Sequence, residues 1–196
     1  MAVFGKKRFG SGYQRRVGMQ SRSLLQENSK ELVSVLKIHG VIEDGIKIFE
    51  IGAGPGRNLK YINDENNTVG LYLNDLWKDA SYKYMDKLIK DKTVFYEMDT
   101  FILINDCKPE FQVDLLISSD HLMHIEYEPA DIILKGIRDS WKPNYILLRE
   151  VKKEFESPDH PRLFHDYNQL LTDYDLVYET TSVNAKEYFI WLLKGK

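Results

Sequence analysis

Cysteine is nearly missing from this chain: Cys107 is the single one among 196 residues. No disulfide can close within it, and no cysteine cluster offers a zinc site, so the fold has to be held by its apolar core. Long hydrophobic runs are lacking too. Charged residues interrupt each apolar stretch before it reaches the length of a membrane span or a signal sequence, which reads as a soluble cytoplasmic protein with no membrane partner. Repeats and low-complexity linkers are absent, leaving one continuous unit. Acidic residues are missing before Glu27, whereas Lys6, Lys7, Arg8, Arg15, Arg16 and Arg22 all precede it, although the formal net charge is only −3.

What is present suffices for one sizeable core, with 43% hydrophobic and 12% aromatic residues. Residues 1–20 read as a basic flexible arm in which Phe4, Phe9 and Tyr13 alternate with cations and glycines. That composition suits nucleic acid or another polyanion, and equally a solvated tail. Residues 21–196 read as a single domain. Leu25, Leu32, Val35 and Leu36 share one face of a first helix that Gly40 would stop. Strands are expected at 46–51, 68–73, 93–98, 112–118 and 144–151, with helices beginning near 58, running over 77–90 and opening at Pro129, where Ile133, Ile137 and Trp141 recur at spacing four. The stretches 174–181 and 187–194 are strand-like and too close together to enclose a helix, so they should pair as a hairpin. The expected fold is α/β: a Rossmann-like, doubly wound, mostly parallel seven-stranded sheet with a C-terminal antiparallel hairpin.

In such a sheet the ligand sits beyond the carboxyl ends of the strands, anchored by the turn after the first. Here that turn is Gly52-Ala53-Gly54-Pro55-Gly56, preceded by Glu50 and followed by Asn58. Glycines there let backbone approach a ligand, and the next helix presents free N–H groups. The spacing departs from the dinucleotide fingerprint, and Glu50 is a poor neighbour for a pyrophosphate, so a cationic, nucleotide-like ligand fits better.

The stretch Glu50–Asn58 resembles motif I of class I S-adenosylmethionine-dependent methyltransferases, and the resemblance extends from about Ile46 to the C-terminus. Five further segments, starting at Gly56, Leu122, Ser140, Arg162 and Glu187, are similar in sequence and order to methylase-like proteins associated with pseudaminic acid biosynthesis. The resemblance implies an enzyme that transfers a methyl group from S-adenosyl-L-methionine. It makes Gly52, Ala53, Gly54, Gly56 and Asn58 part of the cofactor floor, with Glu50 orienting the loop and the ammonium end. It places Asp99 beside the adenine amino group, which a carboxylate can accept from; a solvated loop aspartate is the plainer reading. Two residues after Gly70, where the family carries the ribose acid, stands Tyr72. Asn74 or Asp75 is therefore expected to take over the ribose, with Tyr72 still able to offer the cofactor one phenolic hydrogen bond.

Ser119, Asp120, His121 and His124 follow the fourth strand, where the family places residues between methyl donor and acceptor. His121 is the choice for a base, with Asp120 beside it, Ser119 as a cofactor contact and His124 as a packing residue. No metal is expected, because the two histidines lack further ligands. Neither of two familiar nucleic-acid methylase signatures occurs: the fourth strand is not followed by Pro-Pro-aromatic, and Cys107 is not in a Pro-Cys loop. Arg162, in a long loop that also carries His160 and His165, and the basic arm suggest an anionic small-molecule or sugar-type acceptor. A non-catalytic or nucleic-acid-binding member of the fold, or an enzyme using the same cofactor for another reaction, is the alternative.

Overall fold

The computed structural model describes residues 22–65, 70–76, 78–153, 162–183 and 186–196. The arm at 1–20, Trp77 and His160 lie outside the described residues. Helix α1 (Arg22–Ile38) buries Leu32, Val35 and Leu36 on one face. It ends in a Schellman pattern, with Gly40 N–H donating to Lys37 O and Val41 N–H to Leu36 O. Then come β1 (Lys47–Ile51), α2 (Arg57–Glu65), β2 (Gly70–Asp75), α3 (Lys78–Tyr84), α4 (Lys87–Lys90), β3 (Thr93–Glu97), α5 (Thr100–Asp106) and β4 (Leu115–Ser119). A 3₁₀ turn (Leu122–His124), α6 (Tyr127–Gly136) running into a π turn (Ile137–Trp141), β5 (Tyr145–Val151), α7 (Tyr167–Leu170), β6 (Tyr174–Thr181) and β7 (Tyr188–Gly195) complete the chain.

Two expectations need correction. The single helix expected over 77–90 is two, because Asp86 ion-pairs with Lys60 of α2 at 2.9 Å and its carbonyl restarts the ladder toward Ile89 and Lys90. Helix α5 was not foreseen; Asp99 caps it by accepting from Phe101 N–H at 2.8 Å.

The seven strands form one sheet in the order β3-β2-β1-β4-β5-β7-β6. The first five are parallel, and β7 runs antiparallel between β5 and β6, so the hairpin expected from the sequence is present. The sheet is Rossmann-like and doubly wound, with an apolar cluster on each face. One gathers Leu32 and Leu36 of α1, Leu59 and Ile62 of α2 and Ile89 of α4. The other gathers Leu103 and Ile104 of α5, Ile133 and Leu134 of α6, and Phe49, Trp141, Tyr167, Phe189 and Trp191. The order reverses direction between β1 and β4: β2 lies on one side of that pair and β5 on the other. A crevice at their carboxyl ends follows.

Helices α5 and α6 meet at Gly136, where an added Cβ would fall 2.5 Å from Ile104 Cγ2. Ile104 is buried and branched, so it yields poorly. Overpacking of this kind costs roughly 1–3 kcal/mol, against about 1 kcal/mol gained in helix propensity. Gly136→Ala should therefore lower stability by about 1 kcal/mol in chemical denaturation, although alanine is the better helix former.

Candidate functional site

The turn after β1 is pinned to the end of β2 by two successive amides. Ala53 N–H donates to Asn74 O at 3.0 Å, and Gly54 N–H donates to Asp75 Oδ2 at 2.9 Å. Gly52, Gly54 and Gly56 all adopt positive φ. At Gly52 a Cβ would stand 2.1 Å from the Cγ and Nδ1 of His121, so glycine is what allows that ring to lie on the turn. At Gly54 nothing lies within 4 Å of the same position, and the backbone there faces open space. One glycine serves the protein's own packing and the other leaves room for a ligand.

Glu50 lies beneath this turn and is 2% exposed. Its Oε1 accepts from Asn58 Nδ2 at 2.7 Å, whereas its Oε2 is sealed and has no hydrogen-bond partner among the described residues. Burial raises its pKa to about 8, against the smaller opposing effect of Asn58. A sealed carboxyl oxygen without a donor favours the protonated form, in line with the raised pKa.

The end of β2 assigns its three candidates differently. Tyr72 sits mid-strand with its ring against Phe111, centroids 4.2 Å apart, and near Phe49. Its hydroxyl lies 3.6 Å from where a Gly70 Cβ would be, toward the amino end of β2 and away from the crevice. Asn74 is fully buried, and its amide group is occupied by Tyr96 O, Met98 O and the Thr100 hydroxyl. The Tyr72 hydroxyl is thus turned away from the strand ends, and the Asn74 amide is engaged within the protein. Asp75, half-buried at the last position of β2, is the acid beside the glycine turn. Asp99 is half-buried at the next strand end, with Oδ1 engaged in capping α5 and its pKa raised by burial.

The loop after β4 is organised by Glu150, a residue that sequence reasoning left at the close of β5. Its Oε1 accepts from Ser118 Oγ at 2.7 Å, Leu122 N–H at 3.1 Å and His121 N–H at 3.3 Å, and its Oε2 accepts from Met123 N–H at 3.2 Å. Burial raises its pKa to about 7, while these donors pull the other way. Beside it Asp120 adopts φ +57°, a conformation uncommon outside glycine, and its Oδ1 pairs with Nη1 of the buried Arg149. Asp120, expected as a catalytic partner of His121, is thus an anchor of the loop. Arg149 in turn lies over the Tyr188 ring, 4.5 Å from its centroid. Arg162 Nη1 donates to Tyr188 Oη at 3.1 Å and approaches His124 Nε2 at 3.4 Å. Ser119 ends β4 half-buried, in register with Arg149.

His121 is brought to the glycine turn. Its Nε2 is 2.9 Å from Thr100 Oγ1, and burial lowers its pKa to about 4, so the ring is neutral at neutral pH. Its unprotonated nitrogen can accept a hydrogen bond, but with its pKa lowered the ring is a weak base. Among the described residues no group of three or more His, Cys, Asp or Glu side chains could hold a metal, and no helix is long and apolar enough to cross a membrane.

No protein-family model and no curated protein sequence matches the chain. Solved structures do. The magnesium protoporphyrin IX methyltransferase ChlM of Synechocystis, crystallised with bound S-adenosylmethionine, superposes with a TM-score of 0.67 at 14% identity, over 100% of this chain and 88% of its own. An S-adenosylmethionine-dependent methyltransferase of Aquifex aeolicus gives a TM-score of 0.66 at 14% identity, over 95% and 98%. An O-methyltransferase-like structure from Nostoc punctiforme gives 0.69 at 10%, over 93% and 60%. At such identities these likenesses establish the fold.

Glu150→Gln replaces one acceptor oxygen by a donor facing amides that also donate. A buried hydrogen bond to a charged group is worth about 1.5–3 kcal/mol, so the variant should lose about 2 kcal/mol in chemical denaturation. Hydrogen exchange should quicken at Leu122 and Met123 while β1 and β2 keep their protection.

Proposed function

We propose that the chain is an S-adenosyl-L-methionine-dependent methyltransferase acting on a small-molecule acceptor, in which Glu50 receives the cofactor's ammonium end. The observation that carries this reading is the sealed, donorless Oε2 of Glu50 beneath a glycine turn that is open at Gly54. A phosphate ligand would keep this carboxyl protonated, whereas a cationic amino-acid moiety would draw it into the carboxylate form and supply the donor that Oε2 lacks. Bound at that turn, the cofactor would supply an electrophilic methyl group on a sulfonium, and the protein's task is then chiefly to align the acceptor with it. In this reading Asp75 would hold the ribose hydroxyls and Asp99 would meet the adenine amino group. His121 lies at the glycine turn to accept a hydrogen from the acceptor, since its neutral ring has capacity for one.

The finer reading concerns the acceptor. Similarity of the segments from Leu122, Arg162 and Glu187 onward to methylase-like proteins of pseudaminic acid biosynthesis favours an acidic, sugar-type molecule. Arg162 and Tyr188, neighbours beside the β4 loop, supply a cation and a phenol suited to a carboxylate. The basic arm at 1–20 is assigned to the same side.

Because Glu50 is mostly protonated at pH 7 with its pKa near 8, taking up a cation there should expel close to one proton. Calorimetry of S-adenosylmethionine binding in phosphate and in Tris at pH 7 should give heats differing by about one buffer ionisation. Glu50→Gln should lose that difference, and Gly54→Val should lose binding itself; absence of any heat with wild-type protein sinks the proposal. The sign also runs through stability. A carboxyl whose folded pKa exceeds its unfolded value near 4.5 stabilises fully below pH 4.5, and this contribution fades as pH rises through about 8. Glu50→Gln should therefore gain in relative melting temperature between pH 5 and pH 8.

Asp75→Ala should weaken cofactor binding about ten- to hundredfold, the scale of one lost charged hydrogen-bond pair. Tyr72→Phe should leave the affinity unchanged, because its hydroxyl points to the other end of the strand. Equal loss in both would put the ribose at Tyr72 after all.

A further inference from the structure

We infer that Thr100 and Asn74 are positioning residues for His121: together they hold its imidazole as the Nε2–H tautomer and leave the bare Nδ1 against the glycine turn. The chain of reasoning begins at two groups that can only accept. Asn74 Nδ2 lies 3.2 Å from Tyr96 O and 2.8 Å from Met98 O, so the amide must present its N–H₂ side to these carbonyls. The reverse orientation would set three oxygens against one another. Asn74 Oδ1 then faces Thr100 Oγ1 at 2.7 Å, and this oxygen too can only accept. The single hydroxyl hydrogen of Thr100 is thereby committed to Asn74.

What remains on Thr100 Oγ1 is lone-pair density, 2.9 Å from His121 Nε2. That nitrogen has to donate. In a neutral imidazole the other nitrogen then carries no hydrogen. The ring is neutral at physiological pH because burial lowers its pKa to about 4. Nδ1 lies with Cγ on the edge packed over Gly52, both 2.1 Å from where a Cβ would stand. The donor orientation of a buried amide at the end of β2 is thus transmitted through one hydroxyl to a lone pair at the candidate site.

The use of that lone pair rests on the methyltransferase reading. With Nδ1 bare, the site accepts a hydrogen bond from an acceptor hydroxyl or amine and presents no N–H toward a cationic donor. With the tautomer reversed it would present an N–H there and could accept nothing. The relay therefore selects acceptors that carry a hydrogen on the atom to be methylated.

Long-range ¹H–¹⁵N spectra of the ligand-free protein, labelled at histidine, read the tautomer directly, with the His121 signals assigned by their disappearance in His121→Gln. The expected pattern in wild type is a protonated, pyrrole-type Nε2 and an unprotonated, pyridine-type Nδ1. Thr100→Ser keeps the hydroxyl and should keep the pattern, while the isosteric Thr100→Val should shift it toward a mixture of tautomers. Backbone spectra report whether each variant is folded, and if Thr100→Val is not, the wild-type and serine spectra still decide. A protonated Nδ1 in wild type, or a folded Thr100→Val with an unchanged pattern, overturns the inference. The measurement needs no cofactor, so the relay and the methyltransferase reading stand or fall separately.

Discussion

Everything at the candidate site depends on β1 and β4 lying side by side while their outgoing connections lead to opposite sides of the sheet. Ile51 pairs with Ser118, so the two turns leave the sheet at the same level and have to share the space above it. The sharing is settled by side-chain size. The turn after β1 carries no Cβ at Gly52, and the imidazole of His121 from the turn after β4 fills that place. Without the glycine the two turns would be forced apart, and the imidazole of His121 would be displaced from the turn.

The β4 turn is short of backbone partners of its own, because three of its amides point inward where no strand can take them. Glu150 supplies the missing acceptors from the neighbouring strand, and Ser118, next to last in β4, adds its hydroxyl. This explains why Asp120 tolerates φ +57°: amides on either side are held, its own N–H donates to Arg149 O, and its carboxylate is paired with the Arg149 side chain. A strained residue persists where its surroundings over-determine it. Arg149 and Glu150 are consecutive in β5, so one strand end anchors the turn through two charges of opposite sign.

Much of the fold was legible in the sequence because strands and helices advertise themselves by apolar period, and the closing hairpin by the absence of room for a helix. Helix α5 escaped because it is seven residues long, and its run Phe101-Ile102-Leu103-Ile104 shows no period; its start signal, Asp99, was read for its chemistry toward a ligand instead of its capping. The glycine turn, Glu50 and His121 were legible as local motifs. Asn74 and Asp75 were not separable in the sequence, where both stand near the end of β2; the structure tells them apart, since the Asn74 amide is buried against Tyr96, Met98 and Thr100 while Asp75 accepts from Gly54 N–H of the turn. Glu150 and the Asn74–Thr100–His121 relay could not be read from one chain at all. Their partners lie 26 to 32 residues apart for the Glu150–Ser118, Glu150–Leu122, Glu150–His121, Glu150–Met123 and Asn74–Thr100 bonds, and only the strand order brings them together.

Two glutamates sealed at the same edge of the sheet show how structure separates a support from a binding group. Glu50 and Glu150 are both almost fully buried at strand ends, and burial raises both above the ordinary carboxyl range. Residue type, depth and pKa direction therefore do not tell them apart. Their donors do: Glu150 has partners on both oxygens, whereas Glu50 has one amide on Oε1 and none among the described residues on Oε2. A buried acceptor without a donor carries a standing cost unless the carboxyl keeps a proton or a donor arrives. The first alternative is the elevated pKa of the ligand-free protein, and the second is a cation at the glycine turn. On the proposed reading, exchange of one for the other would couple occupancy of the site to release of a proton at Glu50, while Glu150 keeps its donors throughout.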